Sequence, residues 1–288
     1  MANIMDGRLV SERTKEEIKK GVSEFIKNTG ITPALAVIVV GEDPASAVYV
    51  RNKHKGCLAC GIRSIECKMP EETTQEQLLA KIEEYNRDES IHGILVQLPL
   101  PRHIDEKKVT LAIRPEKDVD AFHPMNVGAV VMGGATYLPC TPAGVIRLLE
   151  YYNIETAGKR CVIVGRSNIV GKPMFHLMLE KNATVTVCHS RTANLKDITR
   201  TADILICAIG KAEFIRGEDI KEGAIVIDVG INRTEEGKLV GDICFTECVE
   251  RASYITPVPG GVGPMTIAML LQNTLRGAIS QFEAKKQV

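Results

Sequence analysis

The sequence has no surplus of charge of either sign. Its 36 lysine and arginine residues are balanced by 36 aspartate and glutamate residues, which gives a formal net charge of zero. General affinity for nucleic acid or for an anionic membrane surface depends on an excess of basic residues. We therefore expect neither a nucleic acid nor a membrane among the partners of this protein.

Long apolar runs are also missing. No run of roughly 18 apolar residues occurs, and this is the length that indicates a membrane-spanning helix. The N-terminal segment MANIMDGRLVSERTKEEIKK lacks the apolar core of a secretory signal and is typical of the start of an amphipathic helix. A chain of 288 residues can bury one large core or the cores of two domains.

The nine cysteines are an odd number and are scattered through apolar segments. This distribution predicts reduced thiols and a cytoplasmic location, because disulfides persist mainly in oxidising compartments. Cys57 and Cys60 have the spacing of a redox or zinc pair, but no second pair or nearby histidine pair completes a set of four ligands. We interpret them as inert thiols on a helix and expect no metal site.

Strand and helix patterns alternate along the chain, which is typical of an α/β protein with parallel sheets. The predicted strands are short and apolar, and they cover 34–40, 62–69, 91–98, 160–164, 183–188, 203–207 and 224–229. The predicted helices cover 12–29, the segment after the N-cap pair Asp43-Pro44, the segment after the capping box Thr74-Gln-Glu-Gln77, 143–152 and 265–284.

Residues 115–142 are rich in glycine, proline, asparagine and aspartate, and they predict a loop region between two domains. The first domain is expected to cover 1–139, joined by the C-terminal helix 265–288, and the second to cover 140–264. The expected fold class is therefore α/β, with two α/β domains. The second domain is expected to be a Rossmann-like, doubly wound parallel sheet.

A glycine-bearing turn connects the strand at 160–164 to a helix. Gly165 and Gly171 flank it, and in this context backbone N–H groups at a helix N-terminus bind phosphate. Arg166 departs from the usual glycine spacing, so an ordinary strand-to-helix turn stays an alternative.

The end of the next strand predicts which nucleotide binds. An NAD site carries an acid there, but this strand ends in His189-Ser190-Arg191-Thr192. A hydroxyl and a guanidinium suit the 2′-phosphate of NADP, and Arg166 adds a second positive charge. The alternative is a solvated loop arginine at Arg191. Two later strands end near Gly210 and Ile231, which are expected to border the cofactor or else to form ordinary turns.

Tyr49 and Lys53 lie four residues apart on the helix predicted after Pro44 and so share a face. An aromatic ring beside an amine suits a flat heterocycle with a reacting atom, although such a pair is often only a solvated helix face. Gln97 is a polar residue at the end of an apolar strand, and a buried amide needs a partner. Asp118 and Asp120 place two carboxylates in one loop, and 256–266 is a rigid glycine-proline loop.

Seven segments together resemble the methylenetetrahydrofolate dehydrogenase/cyclohydrolase family, in the order of that family and over nearly the whole chain. They are Tyr49-Val-x-x-Lys53-x-Lys55, Val96-Gln-Leu-Pro-Leu-Pro101, Pro115-Glu-Lys-Asp-Val-Asp120, Pro139-Cys-Thr-Pro142, Val164-Gly-Arg-Ser167, His189-Ser-Arg-Thr192 and Pro257-Val-Pro-Gly-Gly-Val-Gly-Pro-Met-Thr266. One departure is Ala121, where the family usually has glycine, and we expect only a modest change of the loop.

The resemblance implies a bifunctional enzyme of one-carbon metabolism. NADP would accept a hydride from 5,10-methylenetetrahydrofolate, and water would then convert the methenyl product to 10-formyltetrahydrofolate. It also implies a homodimer, with the folate in a cleft between a folate-binding catalytic domain and an NADP-binding domain. We expect the pterin over Tyr49, with the Lys53 amine beside the one-carbon bridge.

The residue types suit this chemistry. Lys53 is expected to handle the proton of the attacking water, because burial and a hydrogen bond from Gln97 would favour the neutral amine. Tyr49 would orient the folate, Asp120 would accept hydrogen bonds from the pterin, and Asp118 would brace the loop. The complete expected set is catalytic Lys53, Gln97, Tyr49 and Asp120; substrate-binding Tyr49, Lys53, Val96, Gln97, Leu98, Asp120, Pro259, Gly260 and Gly261; and cofactor-binding Gly165, Arg166, Ser167, Ser190, Arg191 and Ile231.

Three alternatives stay open. A dehydrogenase that has lost the cyclohydrolase activity would not need both Lys53 and Gln97. A non-catalytic NADP-binding protein would not need the set of Tyr49, Lys53, Gln97 and Asp120. A two-domain amino-acid dehydrogenase would hold a substrate carboxylate with other groups and would lack this glycine-proline loop.

Overall fold

The computed structural model describes residues 2–42 and 44–286, with the side chains of 44–48 left out of the description. The predicted N-cap Asp43 therefore lies outside the described residues. The helices in the described chain are α1 Gly7–Thr29, α2 Pro44–Cys60, α3 Gln75–Arg87, α4 Glu106–Ala112, α5 Pro124–Met132, α6 Cys140–Tyr151, α7 Gly171–Glu180, α8 Leu195–Thr199, α9 Phe245–Cys248 and α10 Val262–Lys286. Within this description, no helix combines the length and the apolarity needed to cross a bilayer.

The strands are short, as the sequence predicts. They are β1 Asn3–Ile4, β2 Ala34–Val40, β3 Arg63–Met69, β4 Gly93–Val96, β5 Arg160–Val164, β6 Thr184–Cys188, β7 Ile204–Cys207, β8 Ile225–Asp228, β9 Asn232–Arg233, β10 Leu239–Val240 and β11 Tyr254–Ile255. The predicted strands at 34–40 and 160–164 are confirmed with the same bounds. The strand predicted at 91–98 is shorter, because only its central four residues adopt strand geometry.

The chain divides into two compact units. The six-stranded unit comprises Met1–Ser11 and Thr141–Thr266, and the three-stranded unit comprises Glu12–Cys140 and Ile267–Val288. Residues 1–11 differ from the domain boundary predicted from the sequence. The physical reason is a pairing distant in sequence: β1 lies parallel to β11, with Asn3 opposite Tyr254 and Ile4 opposite Ile255.

The six-stranded unit contains a sheet with the order β1-β11-β8-β7-β5-β6. The chain passes from β5 to β6 on one side and then returns to β7 on the other side of β5. This reversal makes a doubly wound sheet, and it brings the carboxyl ends of β5 and β7 to the edge where such sheets bind ligands. The predicted Rossmann-like class is confirmed. The core is formed by buried residues such as Val162, Leu205 and Val226.

The three-stranded unit contains a parallel sheet with the order β3-β2-β4. One core cluster joins Ile38 and Ile94 of this sheet to Leu78 and Ile82 of α3. The capping box predicted for α3 is confirmed, since Thr74 Oγ1 accepts from the Gln77 N–H and the Gln77 side chain accepts from the Thr74 N–H. Val96 belongs to the same cluster, so the core fixes the carboxyl end of β4, where Gln97 follows.

The prediction of a loop region between domains at 115–142 is wrong in two respects. Residues 115–140 belong to the three-stranded unit, and helix α5 lies inside them. Pro124 suits the first helical turn because it has no N–H to leave unpaired. His123 Nδ1 caps the same turn by accepting from the Met125 N–H at 3.2 Å.

Gly93 in β4 is required by close packing against Val119. A methyl group at position 93 would lie 2.6 Å from Val119 Cγ1. We predict that Gly93→Ala lowers the free energy of unfolding by about 1–3 kcal/mol, because an overpacked core shifts its neighbours. Urea denaturation monitored by circular dichroism measures this change.

Gly128→Ala is the matched control. Position 128 lies in α5, and an added methyl group meets no atom within 4 Å. This substitution should be neutral or stabilise the protein by up to about 1 kcal/mol, because alanine favours helix more than glycine does. Equal unfolding midpoints for the two variants would contradict the packing argument.

Candidate active site

Lys53 lies on α2, one helical turn after Tyr49. Its neighbours Val50 and Cys57 are buried and hold this part of the helix on the three-stranded unit, whereas the Tyr49 side chain is 41% exposed. The Lys53 side chain is half-buried, and its Nζ donates a hydrogen bond to Gln97 Oε1 at 2.8 Å. The structure therefore brings together two residues that are 44 positions apart in the chain.

Gln97 is oriented by the end of β4. Its backbone N–H donates to Ile38 O at 2.9 Å, and its side-chain Nε2 donates to Leu98 O at 2.7 Å. Because Nε2 is engaged there, the amide oxygen faces Lys53 and accepts. The prediction that Gln97 donates a hydrogen bond to the amine is therefore wrong in direction. Val96 is buried on one side of Gln97, and Leu98 is exposed on the other.

Asp118 and Asp120 occupy different environments. Asp118 forms a bridge with Ile94 of β4, so its loop lies along the strand that leads to Gln97. The Asp118 carboxylate accepts from the His123 N–H at 2.7 Å and from Asn126 Nδ2 at 2.9 Å. It therefore braces the loop, as the sequence predicts. The half-buried Asp120, two positions further on, lies near Lys53.

The electrostatics of Lys53 are dominated by burial. Removal from water lowers the pKa of the Lys53 amine below its usual 10.5, and the negative charge of Asp120 opposes that effect. Burial likewise raises the pKa of the Asp120 carboxyl, while the nearby Lys53 and Cys140 lower it. The direction of this pKa shift agrees with the expected effect of burial, and the role of Lys53 stays a prediction. A lowered pKa leaves more of the amine in its neutral form, and only the neutral amine can accept a proton from a nucleophile.

Cys140 and Asn273 contribute to this arrangement, although the sequence analysis assigned neither of them a role. The Cys140 thiol lies beside Asp120, with Sγ 3.4 Å from Val119 O. Asn273 is 2% exposed, and its Nδ2 donates to Val119 O and Leu138 O, each at 2.8 Å. These bonds join α10 to the backbone next to Asp120 and to the backbone two residues before Cys140. The available signal was an asparagine close to the apolar run 267–271 of α10, because a polar side chain near a core needs partners.

Ala121 adopts a left-handed backbone conformation, with φ of 59°, and its side chain is fully buried. Such a conformation costs a residue with a side chain roughly 1–2 kcal/mol. Glycine would adopt this conformation without that cost. Alanine at position 121, in place of the glycine usual in the family, therefore carries a conformational cost. The residue turns the chain immediately after Asp120.

The turn after β5 in the six-stranded unit is tightly packed. Gly165 has φ of 133°, and a side chain there would collide with Ala208 O at the end of β7. A side chain at Gly171 would collide with the Gly165 carbonyl, so both glycines are required by close approach. Arg166 and Ser167 between them are exposed. The turn leads directly into a ten-residue helix, which is the strand-to-helix context in which nucleotide phosphates bind.

Ser167 partly occupies the start of α7. Its Oγ accepts from the Val170 N–H at 3.1 Å and from the Gly171 N–H at 3.3 Å, while its carbonyl accepts from the Lys172 N–H. Three N–H groups near the helix start are therefore satisfied within the protein. The exposed Arg166 supplies the positive charge beside them.

Ser190 and Arg191 are both exposed in the turn after β6. The turn is held by the Thr192 hydroxyl, which accepts from the His189 N–H at 2.8 Å. The Gly165 N–H donates to Cys188 O at 2.9 Å, so the turns after β5 and β6 adjoin. A 2′-phosphate on a ribose at this edge fits a hydroxyl and a guanidinium better than it fits an acid.

The remaining predicted residues also lie in the six-stranded unit. Ile231 is 49% exposed after β8, and Gly210 after β7 has φ of 65°. The loop with Pro259, Gly260 and Gly261 packs against the start of α1, where the Gly7 N–H donates to Gly260 O at 2.9 Å. Pro259 follows a cis peptide bond.

Comparison with known proteins decides the family. Residues 5–120 match the model of the tetrahydrofolate dehydrogenase/cyclohydrolase catalytic domain, and residues 139–282 match that of its NAD(P)-binding domain. The bifunctional protein FolD of Agathobacter rectalis is 60% identical over 273 residues, which are 95% of this chain and 98% of that protein. The chain belongs to the tetrahydrofolate dehydrogenase/cyclohydrolase family.

Two solved structures of this family are also similar. The bifunctional FolD methylenetetrahydrofolate dehydrogenase/cyclohydrolase of Campylobacter jejuni is 51% identical with a TM-score of 0.94, covering 97% of this chain and 99% of that chain. The Trypanosoma brucei enzyme, described as complexed with NADP cofactor and inhibitor, is 41% identical with a TM-score of 0.92, covering 100% and 99%. The family resemblance inferred from the seven motifs is confirmed.

In this member of the tetrahydrofolate dehydrogenase/cyclohydrolase family, Asp120 should control the proton affinity of Lys53. We predict that Asp120→Asn lowers the pKa of the Lys53 amine further, because the negative charge that raises it is removed. The amine would then be neutral over a wider range on the low-pH side. NMR titration of the Lys53 ε-carbon measures the midpoint directly.

Glu72→Gln removes a carboxylate from an exposed position of the same unit and serves as the control. It should leave the Lys53 midpoint unchanged. An Asp120→Asn midpoint equal to or above that of the original protein would contradict the electrostatic assignment.

Proposed function

We propose that the protein oxidises 5,10-methylenetetrahydrofolate with NADP and hydrolyses the resulting methenyl compound to 10-formyltetrahydrofolate. The observation that carries this proposal is the hydrogen bond between the half-buried Lys53 amine and Gln97, with Asp120 beside it. Membership of a family named for both activities supports it. The structure of the Trypanosoma brucei relative in complex with NADP supports this choice of cofactor.

NADP, when bound, supplies the hydride acceptor. The proposed contacts are Gly165, Arg166 and Ser167 in the turn after β5, Ser190 and Arg191 at the 2′-phosphate, and Ile231 at the nicotinamide half. The protein contributes position and orientation to this step, because hydride transfer needs alignment of the donor carbon and acceptor rather than an acid–base pair. A metal ion has no required part in this proposal.

Hydrolysis needs a proton acceptor at the one-carbon bridge. The oxygen of a water molecule forms a bond with the cationic methenyl carbon, and the neutral Lys53 amine accepts a proton from that water. The bond from this carbon to N5 then breaks, which leaves the formyl group on N10. One proton is transferred to N5, and the other is released to solvent.

The folate is proposed to bind through Tyr49, Val96, Leu98 and Asp120, with Pro259, Gly260 and Gly261 as further contacts. Asp120 would accept two hydrogen bonds from the amino and ring N–H groups of the pterin. The exposed ring of Tyr49 would stack on or orient the pterin.

We also propose that the three-stranded unit is the folate-binding catalytic domain and that the six-stranded unit is the NADP-binding domain. The proposed assembly is a homodimer, which sedimentation equilibrium checks. The proposed location is the cytoplasm, since all nine cysteines are free. Oxidation of these thiols in the protein isolated from its native cells would contradict that location.

The function test combines two assays on the purified protein and on Lys53→Met. The unmodified protein should reduce NADP in the presence of methylenetetrahydrofolate, with NAD as the poorer acceptor. Lys53→Met should lose about a hundredfold or more of methenyl hydrolysis, because general bases contribute at least that much. Its affinity for NADP should be unchanged.

The matched control is Lys20→Met, which replaces an exposed lysine of α1 and should retain both activities. The absence of reduction of either nucleotide by the unmodified protein would contradict the dehydrogenase proposal. Full hydrolysis by Lys53→Met would assign the proton acceptor to another group, and absent hydrolysis by the unmodified protein would favour a dehydrogenase alone.

The preference for NADP is tested at Arg191. We predict that Arg191→Ala raises the KM for NADP by about tenfold to a hundredfold, because a charge-assisted hydrogen bond to phosphate is lost. The KM for NAD, which has no 2′-phosphate, should change little. Steady-state kinetics with both nucleotides and with the surface control Arg251→Ala measure the difference, and equal effects on both nucleotides would contradict the assignment.

A further inference from the structure

Two aspartates of the six-stranded unit are almost completely buried although neither belongs to the proposed set of contacts. Asp228 ends β8 and is 4% exposed, and Asp242 follows β10 and is 0% exposed. A carboxylate removed from water is strongly destabilising unless hydrogen-bond donors replace the water. The donors around these two groups therefore indicate what the carboxylates hold in place.

Asp242 binds the segments that leave two neighbouring strands. Its Oδ2 accepts from the Ile209 N–H at 2.6 Å and from the Gly210 N–H at 3.1 Å, both in the turn after β7. Its Oδ1 accepts from the Lys211 N–H and from Asn232 Nδ2, each at 2.9 Å. One carboxylate thus joins three consecutive backbone N–H groups after β7 to a side chain after β8.

The Asp228 carboxylate binds the backbone of Asp242 and the backbone of the segment after β8. Its Oδ1 accepts from the Gly230 N–H at 2.9 Å and from the Asp242 N–H at 3.0 Å, and its Oδ2 accepts from the Ile243 N–H at 3.0 Å. A side chain at Gly230 would collide with the Asp242 carboxylate, and one at Gly241 would collide with the Asp228 carboxylate. The close packing leaves the two segments little freedom to move independently.

The hydrogen bonds of Asp228 and Asp242 hold the residues on both sides of Ile231. This exposed residue lies between Gly230, whose N–H is bound by Asp228, and Asn232, whose side chain is bound by Asp242. Gly210, on the other segment, is bound by Asp242 itself. Both segments leave the carboxyl ends of adjacent parallel strands, which is the ligand-binding edge of a doubly wound sheet.

We propose that Asp242 is a positioning residue for NADP, which fixes the segments carrying Gly210 and Ile231 against the nicotinamide half of the cofactor. Asp242 itself does not touch the cofactor. It acts through backbone N–H groups and Asn232, and Asp228 orients the Asp242 backbone. This inference rests on the proposed NADP-dependent oxidation and adds the group that holds the cofactor-bordering segments in place.

The test compares the binding of NADP with the binding of a ligand that lacks the nicotinamide half. Adenosine 2′,5′-bisphosphate carries the adenine and the 2′-phosphate that Ser190 and Arg191 are proposed to bind, and it lacks the nicotinamide half. Asp242→Asn should weaken NADP binding about tenfold to a hundredfold, because an amide replaces an oxygen that accepts backbone N–H groups. Binding of adenosine 2′,5′-bisphosphate should stay within about twofold. Isothermal titration calorimetry measures both constants.

A second variant covers the case in which Asp242→Asn fails to fold, which circular dichroism detects. Asn232→Ala removes one donor and leaves the backbone bonds of Asp242 intact, so NADP binding should weaken about threefold to tenfold with adenosine 2′,5′-bisphosphate unaffected. The control is Asp197→Asn, an exposed carboxylate on α8 that should bind both ligands as the unmodified protein does.

The outcomes are distinguishable. Unchanged NADP affinity in the folded variants, or an equal loss of both ligands, would overturn the positioning role, because a purely structural defect affects both halves alike. If Asp242→Asn is unfolded, Asn232→Ala decides alone by the same two criteria. Failure of the unmodified protein to bind NADP would overturn the proposed function together with this inference, whereas normal binding with insensitive variants would overturn the inference only.

Discussion

The proposed chemistry depends on the partial removal of one lysine amine from water. Burial lowers the pKa of Lys53, and a single accepting amide oxygen of Gln97 replaces part of the lost hydration. A surface lysine would stay protonated and could not take a proton from water at neutral pH. Asp120 limits the effect, since its negative charge favours the ammonium form. The state of the amine is a balance between these opposing influences.

Much of the three-stranded unit serves to place the groups around that amine. The end of β4 presents Gln97, the bridge from Ile94 to Asp118 brings the next loop alongside, and Asn273 binds the Val119 carbonyl next to Asp120. The six-stranded unit uses a different device. There, the buried carboxylates of Asp228 and Asp242 accept hydrogen bonds from backbone N–H groups and so fix the position of the backbone. The six-stranded unit thus contributes positioning, whereas the three-stranded unit contributes a lysine with a lowered pKa. This division matches a hydride transfer that needs alignment and a hydrolysis that needs a base.

Local features of the fold were predictable from the sequence. The strand at 34–40 and the capping box at Thr74 depend on side chains close together in the chain, so their patterns are visible without tertiary information. The parallel class and the Rossmann-like second domain followed from the alternation of elements. The site residues Lys53, Gln97 and Asp120 were found through family motifs, and the structure brings them together. Their roles stay predictions.

Features that depend on distant contacts were missed. The two residues of β1 are too few to show a period. Their pairing with β11, together with backbone bonds such as Gly7 N–H to Gly260 O, assigns residues 1–11 to the six-stranded unit. Helix α5 lies in a segment whose glycine, proline and asparagine content indicated a loop, because composition does not reveal the cap at His123. The direction of the Gln97 hydrogen bond depends on the nearby Leu98 carbonyl. Asp228 and Asp242 resemble ordinary polar residues until their buried donors are seen.

A crystal structure of the protein with a bound tetrahydrofolate analogue is the sharpest test of the proposed role of Lys53. We expect the pterin against Tyr49 with its N–H groups on Asp120, and the Lys53 amine about 3–3.5 Å from the one-carbon bridge or one water molecule away. A pterin bound elsewhere, or a Lys53 amine beyond the reach of one bridging water, would contradict the proposed mechanism even if the fold were unchanged.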